Sequence, residues 1–250
     1  MTRIVRLGIS SGCAPDARAA QLATVAVEAG STVVDLRAGK GHQWEEDGLD
    51  ALFGAGLDVS FIGHPLVLGD PTHPLERWTW ASQQWPGIRC KVVADVGAGQ
   101  RPDLVGRQLG AIAGDRPDLV LVETHAGFAH PADIAVMATR HGCRVVLDTR
   151  GLADSAGNER DRVLPLLAPH VDAIQCKQVG SDGRHVPLGD DGRPPVMAAF
   201  RAVAGGDRPI DVLMESRAFV PNRDLRLLGR WWQDASSRPA AISGPLGDES

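Results

Sequence analysis

The segment DLVLVETH, residues 118–125, decides the fold, because in it an apolar, β-branched run ends in a carboxylate. The same form recurs in CRVVLDTRG (143–151), VDAIQCKQ (171–178) and IDVLMESRA (210–218). Short apolar runs of this kind are typical of strands that are buried on both faces, as in a parallel sheet. Each of the four runs closes on an oxygen-bearing side chain, so the carboxyl ends of these strands are candidate positions for a functional site.

Similar apolar runs number eight along the whole chain: Ile4–Ile9, Thr32–Leu36, Leu57–Ile62, Ile88–Ala94, Leu119–Val122, Cys143–Leu147, Val171–Cys176 and Ile210–Met214. Segments with helical spacing of Ala, Leu and Val lie between them: Ala17–Glu28, Asp103–Ala113, Ala132–Arg140, Asp161–Leu167, Pro195–Val203 and Asn222–Gln233. Alternating strands and helices require parallel strands joined by crossover helices, and eight units in 250 residues predict a (β/α)₈ TIM barrel of the α/β class. The competing architecture is an open doubly wound sheet, but the turn after the first strand lacks the GxGxxG pattern.

The composition is that of a globular protein, with 43% hydrophobic residues, 23% charged residues and a net charge of −5. A mildly acidic chain without clusters of Lys and Arg is not expected to bind nucleic acid. No apolar stretch approaches the length that spans a bilayer, and the N-terminal segment has no signal-peptide layout, so we expect no membrane association and a cytoplasmic location. We predict a single barrel domain over residues 1–235 and a flexible C-terminal tail over residues 236–250.

Four side chains occupy the last inward position of strands five to eight: Glu123, Asp148, Gln175 and Glu215. Residues two apart in a strand share a face, and counting back by two from each position reaches an apolar side chain, in order Leu121, Val146, Ala173 and Leu213. Three carboxylates that converge in a barrel mouth repel one another unless a cation lies among them. We therefore predict a divalent metal held by these four side chains, and their all-oxygen set favours Mn²⁺ or Mg²⁺.

Two other interpretations of these residues stay open. The three carboxylates can form a ring of buried ion pairs with Arg150, Lys177 and Arg217 instead of binding a metal. Gln175 can hydrogen-bond a neighbouring metal ligand rather than the metal itself.

The strand ends resemble those of the xylose isomerase-like TIM barrels, a group that includes sugar and sugar-phosphate isomerases and epimerases. Glu123, Asp148 and Glu215 match the three carboxylates with which that group holds one Mn²⁺, Mg²⁺, Co²⁺ or Zn²⁺ ion. The turn formed by His64 and Pro65 is similar to the group's His-Pro turn. Dimers and tetramers are frequent in the group, so the resemblance also implies a homo-oligomer.

Two motifs depart from the pattern of that group. The seventh strand reads Gln175-Cys176-Lys177-Gln178, which keeps the lysine of His-x-Lys-Asp and replaces the ligand histidine. The resemblance implies a role for Lys177 near the metal. The sixth strand ends in Asp-Thr-Arg-Gly (148–151), where the group commonly has Asp-Thr-Gly-His.

Cationic side chains lie two residues beyond the predicted ligands, and in extended strands they face the same funnel: His125, Arg150, Lys177 and Arg217. Arg37 points inward by the same parity in strand two, and the loop that follows brings His42 near the mouth. Together with His64, these residues are candidate substrate ligands. The excess of positive charge above the carboxylates favours a small anionic substrate, since guanidinium groups suit bidentate binding of carboxylate or phosphate.

The leading hypothesis is a metal-dependent isomerase or epimerase of a small hydroxy-carbonyl compound. In this mechanism the metal stabilises an enediolate, Glu123 and Glu215 move a proton on opposite faces, and Lys177 assists. A dehydratase that expels hydroxide from the same enolate is the second reading. A barrel that binds a small molecule without chemistry is the third, and the glutamines at positions 175 and 178 keep it open.

Overall fold

The computed structural model describes residues 3–220 and 222–237 of the chain. Eight parallel strands pair in chain order, and the first also pairs with the eighth, which closes the barrel. The strands are β1 (Val5–Ser10), β2 (Val33–Arg37), β3 (Asp58–Leu68), β4 (Cys90–Ala94), β5 (Val120–Glu123), β6 (Arg144–Asp148), β7 (Val171–Cys176) and β8 (Ile210–Met214). All eight predicted runs are strands, so the prediction of a (β/α)₈ TIM barrel is confirmed.

Helices surround the barrel: α1 (Ala19–Glu28), α2 (Trp44–Asp47), α3 (Asp50–Gly54), α4 (Leu75–Gln84), α5 (Pro102–Ala113), α6 (Pro131–His141), α7 (Thr149–Ala156), α8 (Arg160–Leu167), α9 (Arg193–Val203) and α10 (Arg223–Ser237). None of these described helices is long and apolar enough to cross a membrane. Helix α10 continues to Ser237, two residues into the segment predicted as a tail, and residues 238–250 of that segment lie outside the described residues.

Strand β3 is longer than its apolar run indicates. It continues through His64 to Leu68, and its register against β4 shifts between Gly63 and Val67. The expected turn at His64 and Pro65 is therefore part of a strand. The shift absorbs the proline, which cannot donate to a regular ladder.

The barrel interior is built in layers from residues that alternate along the strands. Its middle layer is a separate apolar cluster, fully buried: Val33, Phe61, Leu121, Val146, Ala173 and Leu213. The four apolar residues predicted by parity all belong to this cluster. The five side chains of this layer that are larger than alanine each contribute about 1.5–3 kcal/mol to folding, and the layer forms an apolar floor under the polar side chains above it.

The amino-terminal end of the barrel is closed by ion pairs. Asp211 is buried at 1% exposure, and it accepts hydrogen bonds from Arg6 Nε at 2.7 Å, Arg89 Nη2 at 2.6 Å and Ser60 Oγ at 2.6 Å. A buried carboxylate is stable only when its oxygens are paired in this way. The charges at this end therefore stabilise the barrel, and the cavities at the other end are the candidates for function.

Candidate active site

The predicted ligand side chains form the layer above the apolar floor. Glu123, Asp148, Gln175 and Glu215 are all buried, with exposures of 4% or less. Asp148 is also the N-cap of α7, because its Oδ1 accepts hydrogen bonds from the backbone N–H groups of Arg150 and Gly151, both at 2.8 Å. This cap fixes the direction of the carboxyl group and leaves its second oxygen facing the barrel axis.

Lys177 joins two of the carboxylates. Its Nζ contacts Asp148 Oδ2 and lies 2.8 Å from Glu215 Oε1, and only 12% of its side chain is exposed. Burial opposes charge on this amine, but the carboxylates of Glu215 and Asp148 outweigh that effect and raise the pKa of Lys177 above its ordinary value. The side chain is therefore an ammonium ion at neutral pH.

Lys91 pairs with the third carboxylate. Its Nζ is 2.6 Å from Glu123 Oε2 and 3.5 Å from Gln175 Oε1, with 10% of the lysine side chain exposed. The sequence predictions did not include this residue, although a signal was available. The chain has only three lysines against twenty-three arginines, and Lys91 is one of them at an inward position of β4.

Asp35 and Gln175 complete the layer. Gln175 Nε2 donates to Asp35 Oδ2 at 3.1 Å, and Ser10 Oγ donates to Asp35 Oδ1 at 2.6 Å. Each carboxylate oxygen of Asp35 therefore accepts a hydrogen bond, and the amide of Gln175 is turned toward Asp35 and Lys91. Asp35 is completely buried, in agreement with an inward-facing position on β2.

The buried carboxylates differ in acidity. Burial raises the pKa of Asp148 to about 6, against the opposing charge of Lys177. Burial, with the charge of Glu215, also raises the pKa of Asp35 to about 6. For Glu215 burial acts in the same direction, but Lys177 and Arg37 outweigh it and hold the pKa well below its ordinary value. Glu123 likewise has a lowered pKa, because Lys91 overcomes the effect of burial. The two glutamates are therefore ionised near neutral pH.

These side chains do not fit the predicted divalent metal. Within residues 3–220 and 222–237, no three His, Cys, Asp or Glu side chains are grouped to hold an ion. The reason lies in the contacts just described, since Lys177 takes oxygens of Asp148 and Glu215, while Lys91 takes an oxygen of Glu123. The arrangement is closer to the ring of buried ion pairs, although its cations are Lys91, Lys177 and Arg37.

Two cavities open at this end of the barrel. The first, about 420 Å³, has Glu123, Lys91 and Lys177 on its polar wall and His64 and Phe128 on another. The second cavity, about 520 Å³, is lined by Glu215 and by basic residues: Arg37, Arg184, His185 and Arg217. Arg37 borders both cavities and forms an ion pair with Glu215. A ligand of sugar size that lies across Arg37 would reach both.

The candidate substrate ligands divide between these cavities and the rest of the surface. His125 is exposed and lines the first cavity, and Arg217 is exposed and lines the second. Arg150 borders neither of the two, because β6 ends at Asp148 and the start of α7 turns the guanidinium outward to Asp154, at 2.6 Å. Arg150 therefore does not face the same cavity as Lys177, although strand parity predicts that it does.

The other two candidate histidines, His42 and His64, are both largely buried. His42 does not line either cavity, and its Nδ1 lies 3.2 Å from Ser11 Oγ. Burial, assisted by the charge of Arg37, lowers its pKa. His64 lines the first cavity with its ring 5.8 Å from that of Trp85, and burial lowers its pKa to about 4. The Nε2 atom of His64 has no hydrogen-bond partner among the described residues, so the neutral ring presents a free polar atom.

Comparison with known proteins identifies the fold. The chain matches no protein-family model and no curated protein sequence. It is similar to the solved structure of an L-ribulose 3-epimerase over 99% of this chain and 100% of that one, with 16% identity and a TM-score of 0.62. A D-allulose 3-epimerase from Methylomonas sp., solved with D-allulose, is 13% identical over 94% of this chain and 93% of that one, with a TM-score of 0.64.

A third similar structure is a xylose isomerase-like TIM barrel protein from Mycobacterium smegmatis in complex with magnesium. It is 11% identical, with coverage of 93% of this chain and 98% of that one and a TM-score of 0.59. At these identities the likeness establishes the fold. The chain therefore has a (β/α)₈ barrel similar in fold to these solved structures, one of which is a xylose isomerase-like TIM barrel protein.

Proposed function

We propose that the protein is an isomerase or epimerase of a small hydroxy-carbonyl compound, bound at the carboxyl end of the barrel. The observation that supports this most is the pairing of two ionised, buried glutamates with two buried ammonium groups in one layer: Glu123 with Lys91, and Glu215 with Lys177. The likeness of the barrel to an L-ribulose 3-epimerase and a D-allulose 3-epimerase supports the same type of reaction.

The reaction needs a base, an acid and a stabiliser of negative charge. A carboxylate removes the proton from the carbon beside the carbonyl, the electron pair of that bond moves onto the carbonyl oxygen, and a proton returns to carbon to close the cycle. Glu123 and Glu215 are the proposed proton carriers: one takes the proton from carbon, and the other, which is ionised in the free protein, first takes a proton from solvent and then returns it to carbon. Glu215 Oε2 has no hydrogen-bond partner among the described residues and is therefore available for this transfer. Lys91 and Lys177 face the first cavity, where their charge would stabilise the enediolate oxygens.

A divalent ion was the sequence-based expectation for that stabilising role. The similar protein from Mycobacterium smegmatis was solved with magnesium, which keeps Mn²⁺ or Mg²⁺ open as a prediction. The contacts of Lys91 and Lys177 with the carboxylates argue against it in this chain. The proposed chemistry therefore uses only the chain's own side chains.

The substrate we propose carries a carboxylate or phosphate. Arg37, Arg184 and Arg217 lie around the second cavity, and His185 Nδ1 at the same cavity has no hydrogen-bond partner in the described part of the chain. Guanidinium groups recognise such anions through paired hydrogen bonds. The reacting carbons would then lie beside Arg37, between Glu123 of the first cavity and Glu215 of the second, and the anionic group would lie among the arginines of the second cavity. The cytoplasmic location and the homo-oligomer stay predictions.

The test is proton exchange with solvent. The wild-type protein is incubated in D₂O with a panel of ketoses, sugar acids and sugar phosphates, and the products are followed by NMR. We expect deuterium at the carbon beside the carbonyl without loss of water. The Glu123→Gln and Glu215→Gln variants should lose roughly a hundredfold or more in rate, the scale expected for a general acid or base.

The matched control is Glu28→Gln, the same change at an exposed position at the end of α1, away from both cavities. It should exchange at the wild-type rate. Exchange at the wild-type rate by Glu123→Gln and Glu215→Gln would contradict the assignment of these two glutamates as proton carriers. A dehydrated product would instead favour the dehydratase reading.

A further inference from the structure

All three lysines of the chain border one cavity. The first cavity is lined by Lys40, Lys91 and Lys177. The chain has twenty-three arginines and no other lysine. A lysine ammonium is a compact point charge on a flexible stem, while a guanidinium is a broad planar fork. A compact charge fits between carboxylate oxygens in a crowded layer, so the use of lysine at positions 91 and 177 has a physical reason.

Lys177 occupies the place of a bound cation. Its Nζ lies between oxygens that come from β6 and from the end of β8, namely Asp148 Oδ2 and Glu215 Oε1. These carboxylates are 1% and 3% exposed, so a positive charge is needed between them for both to stay ionised.

Other donor atoms of the predicted metal site are also in use, and Glu215 Oε2 is a predicted ligand atom left without a partner among the described residues. Lys91 holds an oxygen of Glu123 at 2.6 Å, and the backbone of α7 holds the other oxygen of Asp148. The amide of Gln175 is committed to Lys91 and Asp35. A divalent ion would therefore have to displace a buried ammonium group from its partners.

The charge of the layer agrees with these contacts. Four carboxylates meet three cationic side chains: Asp35, Glu123, Asp148 and Glu215 against Arg37, Lys91 and Lys177. The layer is thus within about one charge of neutrality before any ion is added. Compensation by the chain's own cations removes the electrostatic need for a metal.

We propose that the ammonium groups of Lys177 and Lys91 stand where a divalent cation would otherwise hold these carboxylates, so that the site is complete without a metal. The proposal concerns the cation alone and does not depend on which compound the protein converts. Its test uses no substrate, so its failure and a failure of the proposed reaction can be told apart.

The first experiment is made on the wild-type protein. The protein is purified without chelator, its metal content is measured by mass spectrometry, and its melting temperature is recorded with EDTA and with excess MnCl₂. We expect no stoichiometric metal and the same melting temperature in both buffers. An ion bound at a hundredfold excess over its Kd would raise the melting temperature of a domain of this size by roughly 5–10 °C. Such a rise, or one ion per chain, would overturn the proposal.

The second experiment removes the ammonium group. Lys177→Met removes the ammonium group from between Asp148 and Glu215 and leaves Asp148 without a cationic partner, so the variant should melt below the wild type in EDTA and regain part of the loss in MnCl₂. Lys40→Met is the matched control, because Lys40 is exposed at the rim of the same cavity, and it should respond to neither reagent. A folded Lys177→Met protein that MnCl₂ does not stabilise would also overturn the proposal. If that variant does not fold, the wild-type titration still decides.

Discussion

Replacing Lys91 with methionine tests how much the buried ion pair contributes to stability. The change keeps an unbranched apolar chain of nearly the same length near Phe61, whose ring centre is 5.7 Å from Nζ, but it leaves Glu123 without its partner. Both side chains are at most 10% exposed, and removing one member of a buried pair costs about 3–5 kcal/mol. For a domain of this length each kcal/mol lowers the melting temperature by roughly 2–4 °C. We expect a loss of roughly 10 °C.

The assay is urea unfolding followed by circular dichroism, with the melting temperature as a second measure. Lys40→Met is the control and should change stability by less than about 0.5 kcal/mol. The double variant Lys91→Met with Glu123→Gln removes both charges and should recover more than half of the loss, since neither charge is then left buried and unpaired. A loss in Lys91→Met no larger than that of Lys40→Met would refute the reasoning.

Three further predictions follow from single positions. Because His64 has a pKa of about 4 in the folded state and 6.5 when unfolded, its own contribution to stability should rise with pH between those values, by about 2 kcal/mol from pH 4.5 to pH 7; the difference in unfolding free energy between the wild type and His64→Gln, measured in urea, should change by that amount. A Cβ at position 151 would overlap the backbone oxygen of Thr124, so Gly151→Ala should lower the free energy of unfolding by roughly 2–4 kcal/mol and disturb the cap at Asp148. The control is Gly54→Ala, at an exposed position with open space, and its stability in the same denaturation assay should be nearly unchanged. If the substrate is anionic, Arg217→Met should raise KM about tenfold in a steady-state assay. In the wild type the guanidinium of Arg150 is bound to Asp154 instead, so Arg150→Met should leave KM unchanged in the same assay.

The order and number of the strands were accessible from the sequence, because each strand is an apolar run flanked by helical segments. Parity then identified which residues point inward, and the middle layer of Leu121, Val146, Ala173 and Leu213 follows from it. Parity fails where a strand stops being extended. Arg150 lies beyond the start of α7, so its direction is set by the helix rather than by β6.

The composition of the candidate site was only partly accessible. The converging carboxylates were recognised, but their compensating charge was assigned first to a metal, and the alternative ring of ion pairs included Lys177 but neither Lys91 nor Arg37. A metal and a set of basic side chains satisfy the same electrostatic requirement. Lys91 lies on β4, and the register of β4 against β5 sets Lys91 opposite Leu121, two residues before Glu123, which the apolar pattern of the sequence does not specify. The rarity of lysine in this arginine-rich chain was the one sequence signal that pointed to it.

The scarcity of lysine also has a practical consequence. Lys91 is buried and Lys177 nearly so, which leaves Lys40 as the accessible side-chain amine among the three. Apart from the chain's amino terminus, an amine-reactive fluorophore or crosslinker should therefore attach to Lys40, at the rim of the first cavity, and leave the outer helices unlabelled. Dye emission would then report directly on ligands that enter the barrel.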